Sequence, residues 1–185
     1  MRTLKVQMQI TLDGIVGGTA EPTPSHWDKE LQSFAIANTK DVDAILLGRQ
    51  TAPELISYWG EVAQDAANED NALGKRITEI PKIVFSTTMT SSSWSNTTVL
   101  NGPLATEIER LKQMPGKDMI VYGGAGFVSS LVKDNLVDEY DLLVNPVVAG
   151  NGLGIFQDVQ HPLQLTLIEV RPFSCGTVLM RYRAR

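Results

Sequence analysis

Leu4, Val6, Met8 and Ile10 alternate with other residues at period two and predict a first β-strand, closed by the turn signal Asp13-Gly14. A loop carrying Pro22 and Pro24 follows. Ser25 with Asp28 three residues later reads as a capping box, and Trp27, Leu31, Phe34, Ala35 and Asn38 then recur at helical spacing, so a helix is expected over 26–39. Residues 44–47, ending in Gly48, are apolar throughout, which suits a strand covered on both faces. A short helix is expected over 53–59. Residues 61–79 hold Ala63, Ala66, Ala67 and Leu73 in a weak helical pattern and read as a solvent-facing excursion.

Further along, 82–85 reads as a strand ending in Ser86-Thr87-Thr88, 97–100 as a short strand, and 103–114 as a helix stopped by Pro115-Gly116. A buried strand over 119–122 runs through Gly123-Gly124-Ala125-Gly126 into a helix containing Phe127, Leu131 and Val132. Strands and helices alternate to this point, which predicts an α/β sheet with mostly parallel central strands. The last third changes character. Strand-like runs at 139–148, 163–170 and 177–182 are joined by loops and predict antiparallel strands at one edge, making the sheet mixed.

The chain has 185 residues, which fits a single domain over 1–185, and 43% of them are apolar, enough for a core that needs no covalent staples. Cys175 is the sole cysteine, so no internal disulfide forms, and neither it nor His26 and His161 has partners at metal-ligand spacing; no metal is expected. A reducing, cytoplasmic setting fits. Residues 1–6 enter the alternation directly, unlike a signal peptide, and no run approaches the length of a membrane span. Sixteen basic against 21 acidic residues give a net charge of −5, which opposes a nucleic-acid partner. Arg171, Arg181, Arg183 and Arg185 fall on a strand and the chain end, where solubilising charge is the favoured reading over an anion site.

Three polar turns follow apolar strands immediately: Gly48-Arg49-Gln50-Thr51, Ser86-Thr87-Thr88 and Gly123-Gly124-Ala125-Gly126. Open α/β sheets bind ligands at the carboxyl ends of their strands, so parallel strands would bring the three turns to one ligand. The glycines let backbone N–H groups approach a phosphate at a helix start, and Arg49 with Thr51 offers a fork of donors and a hydroxyl. Turn formation alone and a surface ion pair are the plainer alternatives. The run is not a dinucleotide fingerprint, because the G-x-G-x-x-G spacing and its downstream acid are missing.

Together with Thr11-Leu12-Asp13-Gly14, Leu136-Val137-Asp138-Glu139-Tyr140, Val144-Asn145-Pro146 and Gly150-Asn151-Gly152, these turns resemble, in order and spacing over about residues 3–183, the dihydrofolate-reductase-like superfamily. Within it the pattern is most similar to the C-terminal reductase domain of the bifunctional riboflavin-biosynthesis deaminase-reductase. The resemblance implies a three-layer α/β fold: a mixed, mostly parallel sheet of about eight strands, antiparallel at its C-terminal end, with helices on both faces. It implies an NADPH-dependent reductase whose dinucleotide is held by Arg49, Thr51, Ser86, Thr87, Gly123, Gly124, Ala125 and Gly126, with a cis Gly123–Gly124 peptide and pairing as a homodimer.

A deaminase's H-x-E and P-C-x-x-C zinc signature does not occur in these 185 residues, so a stand-alone reductase is expected. Dihydrofolate reductases keep a carboxylate in the first helix, where this chain has Gln32 or a neighbour, which argues against folate. Asp13 is the chosen candidate for substrate hydrogen bonding or acid catalysis, over His26 and Asp28, with plain Asp-Gly turn chemistry as its alternative. Trp27, Tyr58 and Trp59 are candidates to wall a flat heterocycle's pocket, or simply to join the core. The expected reaction is hydride transfer from NADPH to a small heterocyclic or ribosylated substrate, as in 5-amino-6-(5-phosphoribosylamino)uracil reduction. The first-helix region lacks the basic cluster that a substrate phosphate would attract. The alternatives are a catalytically silent dinucleotide- or pterin-binding module, a dihydrofolate or pterin reductase, and an interaction protein with no small-molecule site.

Overall fold

The computed structural model describes residues 1–19, 21, 24 and 26–185. Its strands are β1 (Leu4–Ile10), β2 (Ile15–Gly17), β3 (Val42–Gly48), β4 (Lys82–Phe85), β5 (Thr97–Leu100), β6 (Asp118–Val121), β7 (Glu139–Val144), β8 (Leu153–Gly154), β9 (Leu165–Pro172) and β10 (Val178–Ala184). The helices are α1 (Lys29–Asn38), α2 (Ala52–Gln64), α3 (Asn71–Glu79), α4 (Leu104–Gln113) and α5 (Ala125–Lys133). Eight strands form one sheet in the order β5-β4-β3-β6-β1-β7-β10-β9, while β2 and β8 pair separately. Every neighbouring pair from β5 to β7 is parallel; β10 runs antiparallel to both β7 and β9.

Period two sorts the side chains to the two faces. On one face Val6 and Met8 of β1, Leu46 of β3 and Val121 of β6 pack with Ile108 of α4 and Leu131 of α5. On the other, Ile45 and Leu47 of β3 and Ile120 of β6 meet Ala35 of α1, Ala52 of α2 and Leu73 and Ile77 of α3. A smaller cluster joins Leu31 and Phe34 of α1 to Leu143, Phe173 and Leu179 under the antiparallel edge. The architecture is α/β with helices on both faces, as the alternation of elements implied.

Four expectations need correction. First, α1 begins at Lys29, because Asp28 is its N-cap: one carboxylate oxygen accepts from Leu31 N at 2.8 Å and the other from Cys175 N at 2.8 Å. The expected capping residue Ser25, like Pro22 in the preceding loop, lies outside the described residues. Second, 61–79 is no solvent-facing excursion. It holds the end of α2 and all of α3, with Leu73 and Ile77 buried, and Gly74 is the reason the two helices lie so close: a Cβ there would come within 2.8 Å of Val62 Cγ1 and 2.9 Å of Ala63 N. Third, the strand expected over 139–148 stops at Val144, before Asn145-Pro146, and runs parallel to β1, so the sheet changes direction between β7 and β10.

Fourth, the C-terminal arginines are not merely solvated charge. Arg181 pairs with the fully buried Asp141 (Nε to Oδ1, 2.5 Å), with Glu169 at 3.0 Å and with Glu139 at 3.6 Å. Arg171 pairs with Glu30 at 3.0 Å and Arg183 with Glu139 at 3.4 Å. These pairs stitch β7, β9, β10 and α1 together at the antiparallel edge.

Gly74 gives the fold a test with a definite sign. Helix propensity alone favours alanine over glycine by about 1 kcal/mol, whereas overpacking against the backbone of α2 costs about 1–3 kcal/mol. Gly74→Ala is therefore expected to lower the urea midpoint of unfolding; a raised midpoint would mean that the α2–α3 contact has room to spare.

Candidate functional site

β4, β3 and β6 are adjacent and parallel, so the turns that follow them open on the same edge of the sheet. Arg49 N donates to Phe85 O at 3.2 Å and Ser86 N to Leu100 O at 3.0 Å, which carries the strand ladder into the turns and fixes their spacing. Together they line a groove of about 660 Å³, to which Arg49, Thr51, Ser86, Thr87, Gly124, Ala125 and Gly126 all contribute. Gly123 does not line this groove; its peptide to Gly124 is cis.

Three helices begin at the groove. The N-caps of α2, α4 and α5 are Thr51, Pro103 and Gly124, and none makes a side-chain cap hydrogen bond. The first N–H groups of each helix therefore lack their usual side-chain acceptor, and three positive dipole ends share one depression. Arg49 is the one charged residue among the described lining residues, and its guanidinium has no ion-pair or hydrogen-bond partner among the described residues. An overall acidic chain thus keeps one patch that repels cations and suits a phosphorylated anion.

Glycine is required here by contact. A Cβ on Gly48 would lie 2.8 Å from Phe127 Cβ, and one on Gly124 would collide with Thr51 Oγ1. The first lets α5 settle on β3, with Phe85 and Phe127 packed at a 5.3 Å ring separation; the second leaves the α5 start open beside the Thr51 hydroxyl. Ser86 Oγ accepts from Thr88 N at 3.1 Å and Met89 N at 2.9 Å, and this folds the hydroxyl turn back on itself.

Asn101 also lines the groove and was not among the expected residues. Its Nδ2 donates to Ser86 O at 2.6 Å and to Met89 O, so it staples the hydroxyl turn from the next strand. The signal was available. Asn101-Gly102-Pro103 is a fourth polar turn directly after an expected strand, like the other three.

A second cavity, of about 340 Å³, lies on the α1–α3 face of the sheet. Trp27 and Trp59 wall it together with Gln7, Gln9, Ala35 and Tyr122. A Cβ on Gly123 would come within 3.9 Å of Met8 Sδ, and Met8 lines this cavity; Gly123 itself is in the lining of neither space, while its neighbour Gly124 lines the groove. No carboxylate, lysine, arginine or histidine is among its described lining residues. The Tyr122 hydroxyl is buried with no hydrogen-bond partner among the described residues, and burial, with the nearby Asp141 charge, pushes its pKa well up, so it stays a neutral phenol.

The remaining expected residues fall elsewhere. Tyr58 precedes Trp59 on α2 by one residue, about 100° around the helix, and it stands 52% exposed, edge-on to Trp59 at 5.0 Å, outside the cavity lining. Gln32 is turned away too, donating to Glu69 O and Asp70 Oδ1 at 2.6 Å each; the α1 residue that faces the cavity is Ala35. Asp13 lies in the lining of neither space. Its Oδ1 accepts from Thr11 Oγ1 at 2.6 Å and Ala149 N at 3.1 Å, and its Oδ2 from Gly150 N at 2.7 Å. Those bonds, led by that from Thr11, hold its pKa down to about 2, so it clasps the loop ahead of β8 as a permanent anion and is unsuited to giving a proton near neutrality.

Residues 2–179 match the model of the family described as RibD C-terminal domain. The uncharacterized protein YyaP of Bacillus subtilis is 30% identical over 184 residues, covering 98% of this chain and 94% of that one. Among solved structures, Acinetobacter baumannii RibD superposes with a TM-score of 0.73 at 16% identity; all of this chain is covered but only 58% of RibD. Dihydrofolate reductase from Enterococcus faecalis, complexed with NADP(H), superposes with a TM-score of 0.62 at 13% identity over 99% of this chain and 96% of that one. At those identities the superpositions establish the shared fold. Among the described residues no helix is long and apolar enough to cross a membrane.

The Asp13 clasp has a titration to test. With a folded pKa near 2 against an ordinary 3.8, its stabilisation is complete above 3.8 and is lost as pH falls toward about 2. A carboxyl carbon NMR titration of Asp13 should show a midpoint near 2, and Asp13→Asn should remove that step from the acid-stability profile; a midpoint in the ordinary range would mean the clasp is open.

Proposed function

The chain belongs to the RibD C-terminal domain family, and from that premise we propose that it is an NADPH-dependent reductase of a small, flat heterocyclic substrate. The observation that carries this reading is the meeting of three uncapped helix starts and a free arginine in one groove, beside a tryptophan-walled cavity. A dinucleotide has the two matching parts, a phosphate chain that suits N–H donors and a flat nicotinamide that suits an apolar recess. The backbone around Thr51, Gly124, Ala125 and Gly126 would hold the diphosphate. Arg49, with the Ser86 and Thr87 turn, would hold the 2′-phosphate that distinguishes NADPH from NADH.

When bound, the dinucleotide supplies a hydride. The chain's own work is to orient and to exclude water. Trp27 and Trp59 flank the recess, and Met8 in its lining faces Gly123, the residue before Gly124 of the groove. With no acid among the described lining residues, a proton accompanying the hydride would come from solvent. The same feature favours a second reading, a catalytically silent dinucleotide-binding module, which NADPH oxidation by the protein with any pterin or flavin precursor excludes. A phosphoribosyl substrate of the 5-amino-6-(5-phosphoribosylamino)uracil kind would need its phosphate held outside the cavity, because the cavity offers it no cation.

Titration with NADPH and NADH, followed by tryptophan fluorescence, tests the cofactor. NADPH is expected to bind more tightly than NADH, and Arg49→Ala to weaken NADPH binding by about 1.5–3 kcal/mol, the range for hydrogen bonds to charged groups, while leaving NADH nearly unaffected. Equal losses for both would move Arg49 away from the 2′-phosphate; no binding of either at millimolar concentration would remove the reductase reading.

A further inference from the structure

The polar face of β1 holds a chain of hydrogen bonds in which each member can take only one orientation. Asp141 is fully buried and meets both Nε and Nη2 of Arg181, at 2.5 and 2.9 Å, so it acts as an acceptor. Asn38 sits against both charges. Its Oδ1 accepts from Arg181 Nη2 at 3.1 Å, and its Nδ2 donates to Asp141 Oδ2 at 2.9 Å. The opposite amide orientation would set its NH₂ against a guanidinium and its oxygen against a carboxylate, since arginine only donates and an ionised carboxylate only accepts. The second hydrogen on Asn38 Nδ2 goes to Gln7 at 2.6 Å. The Gln7 atom that receives it must therefore be Oε1.

That leaves Gln7 Nε2, with two N–H groups, turned away from the relay. It has no partner among the described residues, and it is not sealed in, because the sealed, unpartnered side-chain polar atoms there are the hydroxyls of Tyr122 and Tyr140. Gln7 lines the second cavity. The described lining carries no charge, and its other amide and hydroxyl groups are those of Gln9, whose Oε1 accepts from Asn145 Nδ2 at 3.3 Å, and of the sealed Tyr122.

We propose that Gln7 is the specificity-determining donor of this cavity, its amide nitrogen locked outward by Asn38 and the Asp141–Arg181 pair, so that the site selects neutral, flat ligands presenting a carbonyl oxygen or an unprotonated ring nitrogen. The proposal rests on the reading of this cavity as the substrate pocket. Asn38 is a positioning residue, acting only through Gln7. Without the relay the glutamine amide would turn freely and accept or donate with equal ease; with it, a ligand offering a donor at that wall leaves two N–H groups facing another hydrogen, and the unmet desolvation of both counts against it.

Quinoline, which presents one acceptor, and indole, which presents one donor, are flat two-ring probes of similar size. Calorimetric titration of the NADPH-saturated protein should find quinoline bound about tenfold more tightly than indole, a hydrogen bond's worth of preference. Gln7→Met should weaken quinoline and spare indole, bringing the ratio near one. Gln7→Glu, which replaces the donor by an acceptor, should reverse the ratio. Asn38→Leu should also collapse the preference although Gln7 is still present, an outcome that loss of packing alone would not give; circular dichroism verifies that each variant is folded. A ratio unchanged in folded Gln7→Met and Asn38→Leu overturns the proposal and leaves the pocket reading standing. If neither probe binds the NADPH-saturated wild type, the pocket reading fails and the proposal falls with it.

Discussion

Parallel pairing from β5 through β7 is the constraint on which the site depends. Parallel strands deliver their carboxyl ends to one edge, and each crossover helix that follows starts from that edge with its N–H groups pointing back. The groove, its three uncapped helix starts and the glycines at 48 and 124 are consequences of that geometry. An antiparallel arrangement of the same strands would send alternate turns to opposite ends and disperse the donors. Only after β7 does the sheet turn antiparallel, and its last two strands cover and brace.

The bracing is electrostatic as well as apolar. A buried carboxylate such as Asp141 is costly to desolvate, and its attraction to Arg181 offsets that cost only when the remaining hydrogen-bonding positions are filled. Here Asn38 fills them, and Glu139 and Glu169 complete the guanidinium's surroundings. The arrangement is a weak argument for stability, since apolar replacements of buried pairs are often neutral or better. It is a stronger argument for definition: a central strand with glutamines on one face must have something to tell those amides which way to point.

Much of the fold was legible because the sequence obeys local rules there. The apolar runs that became β3, β4 and β6, and the glycine and hydroxyl turns after them, are read directly from composition and order. What escaped was set by tertiary contact. Alanines at 66 and 67 suggested a helix that a turn occupies, while Gly74, ordinarily a mark against a helix, sits inside one because two backbones need the space. Asp13 had the right residue type and a strand-end address, but its lone pairs are taken by Thr11 and the 149–150 amides, which a sequence cannot disclose. Gln7 was passed over for the opposite reason. In a strand read by its alternating apolar face, the polar positions are assigned to water, and only the central place of β1 in the sheet shows that those side chains face an interior cavity instead.

The Asp141–Arg181 pair also sets an order of events. The two residues are 40 positions apart, and synthesis proceeds from the N-terminus, so the carboxylate of β7 is made before the guanidinium of β10. β1 and β6 can already pair by then, but inserting β7 beside them would bury an unmatched charge. The growing chain therefore has a reason to keep β7 loosely held until β10 is there to pair with it, which couples the burial of Asp141 to the antiparallel half of the sheet.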